Sequence, residues 1–146
     1  MQRQASREPK MKGGGSGLIS TITDYARFLQ MIANGGEFQG KRYLKKETVD
    51  LMRSNQLPRQ IKAITFGEKP QNGTGFGLGF SVQFEHEEPW DQSAVVGEYG
   101  WGGAASTHYW ISPEHELVVV TMEQTMPYNP NLEKALKPLI YNSFKK

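Results

Sequence analysis

The chain concentrates its chemical interest in one stretch, "VVGEYGWGGAASTHYW" from Val95 to Trp110, where Gly100, Gly102 and Gly103 surround Trp101. Backbone stripped in this way has three uses. The first is a dinucleotide-binding turn, since Gly100 to Ala105 formally satisfies G-x-G-x-x-G/A. Such a turn must open a helix that faces a pyrophosphate, whereas Ser106-Thr107-His108-Tyr109-Trp110 favours a strand, so the context argues against it. The second is acyl transfer. A bare strand edge lets a carbonyl substrate lie close, and a backbone N–H aimed at the developing oxyanion is worth about 3 kcal/mol. Gly102 and Gly103 would clear the approach, and the Ala104 N–H is the candidate donor. The third is a glycine-rich bulge or corner with no chemical consequence. The residues alone leave the second and third readings level.

Other chemistries find little support. His86, His108 and His115 have no metal-ligand spacing, and with zero cysteines there is no thiolate site or disulfide framework, so neither metal nor cofactor is expected. His86, in an acidic loop, and His115, in a turn, read as solvated. "TGFGLGFSVQF" echoes the aromatic strand of an RNA-recognition module but lacks its leading basic residue. Residues 1–72 carry a net +7 and residues 73–146 a net −5, yet the lysines are scattered without interleaved aromatics. A solvated surface, not a nucleic-acid face, is the expectation. No apolar run is long enough to span a membrane, and "MQRQASREPKMK" has no apolar core of a signal peptide.

The elements that would position the glycine stretch are legible from periodicity. Residues 1–12 read as a flexible tail and Gly13 to Gly17 as a joint, leaving 13–146 as the structured part. Thr21 with Asp24 makes a capping-box-like start. Ile22, Tyr25, Phe28, Leu29 and Ile32 then recur at helical spacing, and Gly35-Gly36 ends the helix. "EFQGKRYL" suggests a short hairpin, and "KKETVDLMRS" a second helix with Val49 and Met52 inward. Residues 54–73 read as a long loop, and Gly75 to Phe84 as one alternating strand. "STHYWIS", "PEHE" and "LVVVTMEQ" predict a hairpin, with Leu117 to Val120 buried on both faces. A last helix would turn Leu132, Leu136, Leu139 and Ile140 inward, kinked or shortened by Pro138. The fold class is α+β: a partial antiparallel sheet with flanking helices.

Taken in order, "GGGSGLISTITDYARFLQMIANGG", "KRYLKKETVDLM", "GFGLGF" and "GWGGAASTHYWISPEHELVVVTMEQ" resemble the C-terminal portion of the serine β-lactamase-like hydrolases. That superfamily includes class C β-lactamases, DD-peptidases and related carboxylesterases. The resemblance covers about Gly13 to Phe144. It implies that Trp101-Gly102-Gly103 stands where the third active-site motif, K-T-G in β-lactamases, lines the substrate. It also implies that Ala104 supplies one oxyanion-hole N–H, the nucleophilic serine's own N–H supplying the other. Trp101 departs from the lysine form. A neutral indole suits an uncharged ester or amide better than a carboxylate, so penicillinase activity is the less expected outcome.

The family's S-x-x-K nucleophile and Tyr-x-Asn/Ser element have no counterpart upstream of the glycine stretch. Ser143 to Lys146 and Tyr141 to Ser143 fit those patterns formally, but at the C-terminus, and read as chance. In the family those motifs, two sheet strands and a helical domain precede the region seen here. Two expectations follow. The chain is the oxyanion-side segment of a serine hydrolase, inactive alone, which acts on a small ester or amide and pairs with a missing N-terminal part. Alternatively, it is a non-catalytic domain that binds a ligand or partner, or itself, through an exposed strand edge.

Overall fold

The computed structural model describes residues 18–65, 70–85, 91 and 93–144. The expected tail, the Gly13–Gly17 joint, His86 and most of the acidic connection lie outside them. The helix at the start, α1 (Ile22–Ala33), begins as its sequence dictates. The Thr21 hydroxyl accepts from the Asp24 N–H at 3.2 Å and donates to its carboxylate at 3.0 Å, satisfying one of the donors orphaned at a helix start. Of the five residues at helical spacing, Leu29 and Ile32 are fully buried and Tyr25 is half-buried, while Ile22 and Phe28 stay largely exposed.

After α1 come a two-residue hairpin, β1 (Glu37–Phe38) with β2 (Lys41–Arg42), and α2 (Lys46–Met52). The stretch expected to be a loop contains a second small hairpin, β3 (Ala63–Thr65) with β4 (Pro70–Asn72). These strands are three residues each and partly exposed, too short to leave a period in the sequence.

The main sheet has five antiparallel strands in chain order: β5 (Thr74–Phe76), β6 (Ser81–Gln83), β7 (Tyr99–Gly102), β8 (His108–Ser112) and β9 (Leu117–Thr121). β5 and β6 correct the sequence reading, which made Gly75 to Phe84 one strand. The chain folds back between Phe76 and Ser81, which pair with each other, through a turn in which Gly79 adopts φ +94° and the Gly77 N–H donates to the Phe80 carbonyl at 2.8 Å. Only glycine takes that φ at little cost, and alternation of large and small residues does not reveal a reversal of direction.

The two faces of the sheet have different cores. Tyr99, Ile111, Phe80 and Val82 pack with Leu29, Ile32 and Val49 of α1 and α2, and Tyr109, Val118 and Val120 join them. The opposite face, carrying His108, Trp110 and Ser112, lies under α3 (Asn131–Phe144). Leu117 to Val120 are only half-buried, not buried on both sides as expected, because β9 is an edge strand of the sheet.

α3 departs most from its sequence reading. Its buried residues are Lys137 and Tyr141; of the four apolar positions expected inward, Leu136 and Ile140 are half-buried, while Leu132 is 38% and Leu139 67% exposed. The helix continues through Pro138 and is not shortened. Lys137 is buried because Asp91 and Glu98 lie beneath the helix and pair with its ammonium.

Candidate active site

β7 carries the glycine stretch, and its two edges differ. Toward β8 it is paired along its whole length, from Tyr99↔Ile111 to Gly102↔His108. Toward β6 pairing stops at Ser81↔Gly100, where the Ser81 hydroxyl also donates to the Gly100 carbonyl at 2.8 Å. The early turn between β5 and β6 makes β6 too short to follow further. At Gly102 this edge of β7 has no strand partner among the described residues. Trp101 is half-buried, its indole edge-on to Phe76 with ring centroids 5.0 Å apart.

Beyond Gly102 the chain turns tightly into β8. The Gly103 N–H donates to the Thr107 carbonyl at 2.7 Å and the Ser106 N–H to the Gly103 carbonyl at 3.0 Å. Ala104 stands exposed on this turn, and among the described residues nothing accepts from its N–H. The turn is continuous with the open edge, so Trp101, Gly102, Gly103 and Ala104 form one surface. Gly102 is required by close approach: a Cβ there would meet the His108 ring at 2.9 Å. Two surface concavities, one beside α1 and Phe38 and one between α1 and α2, lie away from this edge.

His108, which the sequence reading placed simply in a strand, is 3% exposed directly behind Gly102. Its Nε2 lies 3.0 Å from the Tyr128 hydroxyl and 3.5 Å from a carboxylate oxygen of Glu133. Burial lowers the His108 pKa against the opposing pull of Glu123, and burial raises that of Glu133. The pair is therefore less highly charged than its residue types suggest. No spacing in the sequence signals it, because Tyr128 is twenty residues away.

Further along the same face, Lys137 is anchored between two buried carboxylates. Its ammonium lies 2.8 Å from Asp91, bonds to Glu98, and faces the Trp110 ring at 5.3 Å; Tyr141 donates to the other Glu98 oxygen. Burial alone would pull Lys137 down, but Glu98 and Asp91 together hold its pKa above the ordinary value. Burial also pushes Tyr99 up to about 12 and raises Tyr109 and Tyr141. Each of these groups keeps its proton longer folded than unfolded, so stability is complete below the ordinary values near 10 and declines as pH rises through them. Denaturation midpoints should fall steadily above about pH 9.5, and Tyr141→Phe should make that fall shallower.

His115 is not solvated as expected. It is half-buried, with Nδ1 3.0 Å from the Ser112 hydroxyl and its ring against Tyr141 and Phe144. Ser143 donates to the carbonyl of Ile140, one turn back on its own helix. Among the described residues no three His, Asp or Glu side chains gather as metal ligands, and no helix is long and apolar enough to cross a membrane.

Two Mycobacterium tuberculosis proteins, Rv1367c of strain H37Rv and the uncharacterized protein MT1414 of strain CDC 1551, are each 34% identical to this chain over 122 residues. Those alignments take in 82% of this chain, which spans 30% of the length of the curated relatives it matches. The unliganded, selenomethionyl form of simvastatin synthase (LovD) from Aspergillus terreus superposes with a TM-score of 0.73 at 21% identity, over 94% of this chain and 37% of that one. At that identity the likeness is one of fold. It matches the α+β arrangement built above, a partial antiparallel sheet with helices on its faces. The Beta-lactamase family model matches residues 2–138, nearly the whole length, and the chain belongs to that family.

Proposed function

We propose that this chain forms the oxyanion side of a serine hydrolase site that works through an acyl-enzyme, with its S-x-x-K nucleophile drawn from polypeptide beyond these 146 residues. The observation that carries the reading is the Ala104 N–H, exposed just past β7 beside Gly102 and Gly103 and with no acceptor among the described residues. A substrate carbonyl laid beside those glycines would meet main-chain groups with no side chain between. When a serine attacks it, the negative charge gathered on oxygen is met by a donor that need not first break another bond. Trp101 offers an indole face and no positive charge, which suits an uncharged ester or amide acyl group. Gly102 and Gly103 keep the approach open.

The test uses a boronic acid, which forms a tetrahedral adduct with a reactive serine and so imitates the intermediate. In the intact protein the Ala104 amide resonance should move on binding, and a structure should place an adduct oxygen within about 3 Å of that nitrogen. An adduct whose oxygens all point away from Ala104 would refute the assignment. A fluorophosphonate should leave the 146-residue chain alone unlabelled.

A second reading is favoured by β9, whose outer edge has no strand partner among the described residues. Such an edge recruits another strand. In this reading the chain is a non-catalytic module that binds a partner or a second copy through β9. Light scattering separates the two: the module dimerises with rising concentration as the isolated chain, whereas a constant monomer mass opposes it.

A further inference from the structure

Resting on that reading of the Ala104 edge, we propose that residues 122–130 act as a strap fastening the oxyanion turn, with Tyr128 a positioning residue that holds the turn through His108. A turn with Ala104 exposed at its tip is a poor place for a catalytic donor, because a site must be held to about 0.5 Å and the turn's own two hydrogen bonds do not reach Ala104. The strap supplies what the turn lacks. The Thr125 N–H donates to the Ala105 carbonyl at 3.0 Å, the residue next to the donor. Ser106, fully buried at a positive φ of 65°, donates from its hydroxyl to the Thr125 carbonyl at 2.8 Å and accepts from the Asn129 N–H at 2.9 Å. A non-glycine residue keeps that backbone conformation only where its surroundings enforce it, and here both fixings of its side chain come from the strap.

Tyr128 closes the fastening from the other side. Its hydroxyl meets His108 Nε2 at 3.0 Å, its ring stands tilted against the imidazole with centroids 5.3 Å apart, and the ring edge abuts Gly102 closely enough that a Cβ there would lie 3.3 Å away. Tyr128 thus touches the strand that leads into the turn, while Ser106 and Thr125 hold the turn itself. Glycine at 102 is explained by His108 and Tyr128, which a Cβ there would meet at 2.9 and 3.3 Å. Ala104 is gripped on both sides and touched by neither.

Tyr128→Phe keeps the ring and deletes only the hydroxyl. In the intact protein, amide hydrogen exchange at residues 103–107 should quicken about three- to tenfold, the loss of one hydrogen bond, while the strands β8 and β9 exchange as before. Turnover should show lower kcat at unchanged KM, with the thermal midpoint little moved, a split that general loss of packing would not give. His108→Phe should weaken the turn similarly, and the double variant should be no worse than either single one, because the two residues act as one fastening. Ser106→Ala attacks the turn independently and should also quicken exchange there. Unaltered exchange at 103–107 in both Tyr128→Phe and Ser106→Ala would overturn the strap. Faster exchange with turnover indifferent to Ala104→Pro would leave the strap standing and sink the oxyanion reading.

Discussion

Ala104→Pro removes the N–H proposed as the oxyanion donor and, if that reading holds, should lower kcat of the intact protein by about 10²- to 10³-fold, the cost typical of losing one such N–H. Among the described residues that N–H holds nothing in the fold, and the turn's own bonds run through Gly103, Ser106 and Thr107. The exposed position also leaves room for a pyrrolidine ring. The loss should therefore fall on turnover and not on folding, which circular dichroism and the thermal midpoint would check. Ala104→Gly keeps the donor and should retain most activity. If the proline variant turns over like the parent, the oxyanion is stabilised elsewhere and the β7 edge has no catalytic role.

The largest stability effect belongs to Lys137→Ala. Its ammonium stands between Asp91 and Glu98, with all three side chains nearly excluded from solvent. Removing it leaves two carboxylates facing each other in a low-dielectric interior, and breaking a buried pair in this way costs about 3–5 kcal/mol. For a domain of this size that corresponds to a drop in melting temperature of about 10 °C or more. Glu98 is already pushed toward its neutral form by burial, held back by Lys137, so removing the lysine should raise its pKa further. Combining Lys137→Met with Glu98→Gln and Asp91→Asn removes the charges together and should recover much of the loss. A single Lys137→Ala that melts with the parent would mean the network contributes little.

This network also shows where reading the chain by pattern fails. The helical spacing of Leu132, Leu136, Leu139 and Ile140 pointed to an apolar inner face, yet Leu136 and Ile140 are only half-buried and the fully buried residues are Lys137 and Tyr141. Periodicity reports which residues could share a face. It does not report that Asp91 and Glu98, about forty residues earlier, wait beneath it. The break in Gly75 to Phe84 is a second case. Both a straight strand and a tight hairpin fit the alternation, and the hairpin is what ends the pairing of β6 with β7 at Gly100.

What the sequence determined by itself is local or collective. The start of α1 at Thr21, its end before Gly35, the β8–β9 hairpin and the ordered series of segments that marks the family were all legible, because capping, turn chemistry and period act over a few residues. The bare backbone at Trp101 to Ala104 was legible too, as a place where chemistry could happen, though not as one open to a substrate. The packing of distant segments alone set that β6 stops pairing with β7 at Gly100, that His108 and Tyr128 stand behind Gly102, and that Ser106 is pinned by the segment after β9. The contacts of His108 with Tyr128 and of Ser106 with Thr125 and Asn129 join residues about twenty positions apart. Their distances and burial arise from the packing of the sheet and its helices, which no short window of sequence contains.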